Sequence, residues 1–114
     1  KHLVVIGAGP AGYPAAFSAA DMGMQVTLID TRSKPGGVCL FEGCIPSKAL
    51  LHATEVIREA STDHPPGITF SPPRINLNEL SSWKNNVVNQ LTNGLEQLTK
   101  ARNITYKQGK ASFF

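Results

Sequence analysis

The first apolar run, His2-Leu3-Val4-Val5-Ile6, is continuous rather than alternating and ends in glycine, which predicts a strand buried in a parallel sheet. Pro10 to Met22 is rich in alanine and other small residues, the composition of a helix lying close against a sheet. Pro14 falls in its first turn, where a missing N–H does little harm, and Gly23 ends it. Gln25-Val26-Thr27-Leu28-Ile29 reads as a second strand, closed by Asp30. Strand, helix and strand within about 30 residues make a βαβ unit with a right-handed crossover, and hence an α/β, Rossmann-like fold with a parallel sheet and flanking helices.

Beyond it, Thr31 to Gly37 is turn-rich, and a helix is expected from Pro46-Ser47 to about Ala60. Residues 61–75 hold Pro65, Pro66, Pro72 and Pro73 and read as an exposed loop. From Leu77 to Arg102, the residues Leu77, Leu80, Val87, Val88, Leu91, Leu95 and Leu98 keep helical spacing. That helix would be roughly 40 Å long, and Gly94 is placed to bend or break it. The tail predicts two short strands, Ile104 to Lys107 and Ala111 to Phe114, around Gly109. Its end on the apolar Ser112-Phe113-Phe114, without a closing turn, is what a truncated domain would show.

Composition narrows the function. The 114 residues suit one domain, and a hydrophobic fraction of 41% is ordinary for a globular protein. No apolar run approaches the roughly 18 residues of a membrane span. The net charge of +3 comes from scattered Lys and Arg, without a basic run or aromatic–basic interleaving, which argues against a nucleic-acid partner. Two cysteines, Cys39 and Cys44, cannot build a four-ligand structural zinc site, and no metal is expected. They are left as a staple, a redox couple or neither.

Gly7-Ala8-Gly9-Pro10-Ala11-Gly12 is a G-x-G-x-x-G between the first strand and the first helix. Gly7 allows the tight turn, Gly9 lets backbone approach a pyrophosphate, and Gly12 lets the helix lie against the strand. The helix start then offers free N–H groups and partial positive charge to phosphates. Asp30 can accept hydrogen bonds from a ribose 2′-hydroxyl, which disfavours a 2′-phosphate and so NADP at this site. The fingerprint does not separate NAD from FAD.

The cysteines sit in Gly36-Gly37-Val38-Cys39-Leu40-Phe41-Glu42-Gly43-Cys44-Ile45-Pro46-Ser47-Lys48. In regular helix their Cα atoms would be roughly 8.6 Å apart, whereas a disulfide needs less than about 7 Å. A bonded pair therefore requires a break between them, for which Gly43 supplies the freedom. So small a loop gains little as a staple, because little chain entropy is removed. It is better suited to opening and closing, and Cys44 falls at the start of the next helix, where the dipole favours thiolate.

GGVCLFEGCIP resembles the active-site signature of the class I pyridine nucleotide-disulfide oxidoreductases, G-G-x-C-x-x-x-x-G-C-x-P, and the other features follow in that family's order along nearly the whole chain. The resemblance implies that residues 1–114 are the N-terminal part of an FAD-binding domain, with NAD-binding and dimerisation domains absent. It implies FAD held by Gly7, Gly9, Pro10, Ala11, Gly12, Asp30, Gly37, Cys39, Cys44 and Lys48. Cys39 matches the thiol that exchanges with substrate, Cys44 the thiol against the flavin, and Lys48 a lysine near flavin N5. His52 is expected to be an ordinary helix residue, because the family's acid–base histidine comes from the partner subunit.

Ser47-Lys48-Ala49-Leu50-Leu51, Trp83-Lys84 and the Leu91 to Leu98 stretch with Gly94 resemble the dihydrolipoamide-oxidising branch of that family, and retained Cys44 argues against the soluble transhydrogenases. Phe41-Glu42 departs from the Asn-Val pair common in the family. The expectation is a homodimeric parent that oxidises dihydrolipoamide with NAD, serving the lipoyl domain of a 2-oxoacid dehydrogenase complex in bacterial cytoplasm or mitochondrial matrix. The alternatives are a glutathione-type disulfide or mercuric reductase, or a flavin-binding module without turnover.

Overall fold

A computed structural model describes residues 1–114. Strand β1 (His2–Ile6) is followed by α1 (Gly12–Asp21) and β2 (Gln25–Asp30), so the βαβ unit forms where the apolar runs placed it. Helices α2 (Gly37–Phe41), α3 (Cys44–Ser61) and α4 (Leu77–Ala101) come next, and β3 (Thr105–Gln108) closes the order. All three strands are parallel, with β2 in the middle: His2 to Ile6 pair with Gln25 to Ile29, and Thr27 to Asp30 pair with Thr105 to Gln108.

The core lies between this sheet and α1. Ala8, Ala16, Ala19, Val26, Leu28 and Ile104 are its buried residues. Ala16 and Ala19 present methyl groups only, which lets α1 settle close to the strands. Arg102 fastens the end of α4 to α1: its guanidinium donates to both carboxylate oxygens of Asp21 at 3.0 and 3.2 Å and lies 4.8 Å from the centre of the Phe17 ring. Asn103, at φ 53°, turns the chain out of α4 in the left-handed conformation that often ends helices. The chain then enters β3 through buried Ile104.

Four expectations change. Helix α3 begins at Cys44, with Pro46 in its first turn, where proline fits. A separate helix, α2, precedes it. Helix α4 runs unbroken through Gly94 for 25 residues, because one glycine costs only about 1 kcal/mol in a long helix. Ala111 to Phe114 form no strand, having no neighbour to pair with, and Phe113 and Phe114 are exposed. Residues 62–76 are irregular, as their prolines require. No helix is long and apolar enough to cross a membrane.

Candidate functional site

At the end of β1 the chain turns through Gly7, whose N–H donates to the Ile29 carbonyl at 2.7 Å. A methyl group on Gly12 would collide with the Gly7 carbonyl oxygen, so glycine there is what allows α1 to start directly beneath the turn. No side chain caps α1, and the N–H groups of Gly9, Ala11 and Gly12 have no acceptor within the chain. Pro10 and Ala11 are exposed. The loop thus presents unpaired donors and no side-chain bulk, which is the chemistry a phosphate requires.

Asp30, the last residue of β2, closes one side of this cradle. Its Oδ2 accepts the Ala8 N–H at 2.7 Å and its Oδ1 accepts the Arg32 N–H at 2.9 Å. Burial opposes its charge, but the two N–H bonds and the Arg32 guanidinium outweigh it and hold the carboxyl below the usual aspartate value. The acid is therefore anionic and fixed to the loop, with lone pairs left for an outside donor.

The cysteine segment is joined to the cradle by backbone. The Gly36 N–H donates to the Ala8 carbonyl at 2.8 Å. Gly37 has φ 67°, and a Cβ there would lie 2.6 Å from the Gly9 Cα, so only glycine allows the two loops to touch. Helix α2 carries Cys39 and breaks at Glu42 and Gly43; α3 then opens with Cys44. The break required for the two thiols to meet falls between them. A side chain at Gly43 would press on the Val38 carbonyl at 3.2 Å and the Cys39 Cα at 3.3 Å.

Both cysteines are free thiols, Cys39 half-buried and Cys44 exposed. The Cys44 side chain beside it pushes the Cys39 thiol above its ordinary value, and burial and the charge of Cys44 act in the same direction. The Cys44 N–H and the Lys48 ammonium pull the other way. Lys48 lies one turn beyond Cys44 on the same face of α3. His52 packs its ring against Trp83, with centroids 6.5 Å apart.

Of the residues singled out from the sequence, Gly7 to Gly12 and Asp30 form the cradle and Gly37, Cys39, Cys44 and Lys48 an adjoining group, while His52 packs against Trp83. A third component escaped sequence reading. An apolar groove of about 340 Å³ opens beside Cys39, walled by Tyr13 and Leu40 on one side and by Leu91, Leu95 and Leu98 of α4 on the other. The leucine spacing was legible, but as the period of a helix and not as the wall of a cavity. Gly94 lies in the same wall, and a Cβ there would meet nothing within 4 Å, so its small size leaves room in the groove and produces no bend.

Known proteins resemble this chain along almost its whole length. A dihydrolipoyl dehydrogenase of Haemophilus influenzae is 52% identical over 112 residues, covering 98% of this chain and 23% of that protein. One from Buchnera aphidicola is 50% identical over 112 residues, covering 98% of this chain and 24% of the relative. The chain thus spans about a quarter of the length of the curated relatives it matches. Among solved structures, the Cu(II) complex of the HOCl-induced flavoprotein disulfide reductase RclA from Escherichia coli superposes with a TM-score of 0.76 at 30% identity, over 99% of this chain and 22% of that one. The family model described as pyridine nucleotide-disulphide oxidoreductase matches residues 1–114. With its cradle, its thiol pair and that match over its whole length, the chain belongs to the pyridine nucleotide-disulphide oxidoreductase family.

Proposed function

We propose that these residues are the FAD-binding and redox-active segment of an enzyme that oxidises dihydrolipoamide with NAD as acceptor. The family is FAD- and NAD(P)-dependent. The unpaired N–H groups of Gly9, Ala11 and Gly12 and the fixed carboxylate of Asp30 fit the phosphates and a ribose of FAD. Bare backbone at Gly37, the exposed Cys44 and Lys48 would extend that contact along the cofactor. Bound there, FAD would take up an electron pair from the thiols and deliver it to NAD.

The observation that carries the reading is the place of Cys39 at an apolar groove while Cys44 is exposed next to Lys48. In the oxidised pair, a substrate thiolate would enter along the groove and attack the Cys39 sulfur, breaking the Cys39–Cys44 bond and releasing the Cys44 thiolate. The second substrate thiol, as thiolate, would then attack the substrate sulfur bonded to Cys39, forming the cyclic disulfide product and releasing the Cys39 thiolate. Leucines 91, 95 and 98 would hold the hydrocarbon stem of the dithiol, and the Lys48 ammonium would favour thiolate in the pair. The acid–base histidine would come from the partner subunit of a homodimer, and the dithiol from the lipoyl domain of a 2-oxoacid dehydrogenase complex in bacterial cytoplasm or mitochondrial matrix.

The test is NADH formation from NAD and dihydrolipoamide by the complete protein, beside a Cys44→Ser variant. Robust turnover abolished by the substitution is the expected result. No turnover with dihydrolipoamide, together with NADH- or NADPH-driven reduction of another disulfide, would move the assignment to a reductase. The likeness to the Escherichia coli flavoprotein disulfide reductase makes that the second reading.

A further inference from the structure

The two residues between the cysteines that depart from the family's usual pair, Phe41 and Glu42, are gripped by one side chain. The Arg32 guanidinium donates from Nη2 to the Glu42 carboxylate at 3.1 Å and lies 5.3 Å from the centre of the Phe41 ring. Phe41 is the last residue of α2 and Glu42 the first residue of the break before α3. The grip is therefore on the hinge between the helices that carry the two thiols.

Arg32 is itself anchored at both ends of its backbone. Its N–H donates to Asp30 Oδ1 at 2.9 Å, and its carbonyl accepts the Tyr106 O–H at 2.9 Å. Burial, with the charge of Asp30 adding to it, pushes the Tyr106 phenol up to about 12, so it remains a donor through the whole working range. The guanidinium thus extends from a point tied to the end of β2 and to Tyr106 within β3. What it holds needs holding: α2 is a five-residue helix with no side-chain cap, and so short a helix has no stability of its own.

We propose that Arg32 is a positioning residue of the redox pair, which keeps the Cys39 and Cys44 sulfurs within bonding reach by clamping Phe41 and Glu42 to the sheet. The proposal rests on the reading of Cys39 and Cys44 as a redox couple. Fixing two reacting groups in place raises their effective concentration, and here that favours the disulfide over the dithiol. The balanced exchange is dithiol plus glutathione disulfide giving protein disulfide plus two glutathione thiols, with the electron pair passing to the small molecule.

The experiment equilibrates the complete flavoprotein in buffers of graded glutathione to glutathione disulfide ratio, alkylates the free thiols and counts modified Cys39 and Cys44 by mass spectrometry. In Arg32→Ala the midpoint should move roughly three- to tenfold towards more oxidising buffer, the combined worth of an exposed ion pair and a cation–ring contact. Tenfold corresponds to about 30 mV. Arg32→Lys should recover part of the shift, because it keeps the charge but not the flat guanidinium over the ring.

A merely structural Arg32 would lower the melting temperature and leave the midpoint alone, and that result overturns the proposal. If Arg32→Ala fails to fold, Glu42→Gln and Phe41→Leu cut the two contacts separately; an unmoved midpoint in both overturns it equally. Wild-type thiols that oxidise in no buffer would remove the redox-couple reading together with the proposal, an outcome distinguishable from a normal wild-type titration with an unmoved variant.

Discussion

At the scale of single residues, the reactivity of Cys39 is set by two neighbours that pull in opposite directions. The Cys44 side chain pushes its thiol up and the Lys48 ammonium draws it down. Removing the larger influence with Cys44→Ala should therefore move the pH profile of Cys39 alkylation by iodoacetamide to lower pH. Lys48→Met should move it to higher pH, and a shift in the same direction for both would contradict this account. Asp30 offers a second test. Its folded carboxyl titrates below the ordinary aspartate value, so its stabilising contribution is complete above about pH 4 and disappears as pH falls through the lower, folded value. Asp30→Asn should lower the melting temperature at pH 7 and flatten its decline below about pH 4, as followed by thermal unfolding across that range.

At the scale of elements, caps and close contacts decide where helices begin. Asn76 accepts the N–H groups of Asn78 and Glu79 at 3.1 and 3.3 Å and starts α4 immediately after the proline-rich loop. Asn76→Ala should cost about 1 kcal/mol, visible as faster amide exchange in the first turn of α4. The βαβ unit was legible in the sequence because its runs are long enough to show a period and glycines punctuate them. The cradle was legible because each of its glycines answers a geometric demand. Helix α2 was not, because five residues carry no period and tertiary contacts hold them in place. The groove wall was missed for another reason: leucines at helical spacing look the same whether they face a core or a cavity. Ala111 to Phe114 has strand-like composition, but parallel pairing needs a partner that composition cannot reveal.

At the scale of the molecule, the surface is larger than the mass warrants. The accessible area is 8133 Å² for 12.2 kDa, whereas a compact monomer of that mass exposes about 6,100 Å². The radius of gyration is 19.5 Å, against about 13 Å for a compact chain of this length. The excess includes exposed Leu51, Val56, Leu77 and Trp83 on α3 and α4 and Val4 and Ile6 on β1. It exceeds the roughly 800 Å² per partner that a standard interface covers. The 114 residues alone should accordingly bind the dye ANS and unfold over a broad denaturant range. A sharp transition without dye binding would show that this surface needs no cover.

The central place of β2 also has a consequence for how the chain assembles during synthesis. One edge of β2 pairs with β1, which has already been made, but the other waits for Thr105 to Gln108. At translation speeds of roughly 5–20 residues per second, that edge stays open for about 4–15 s. During this interval the most buried strand of the fold is an unprotected template for β pairing. Nascent-chain aggregation, or its prevention by a chaperone, would be decided there, before either cysteine has any chemistry to perform.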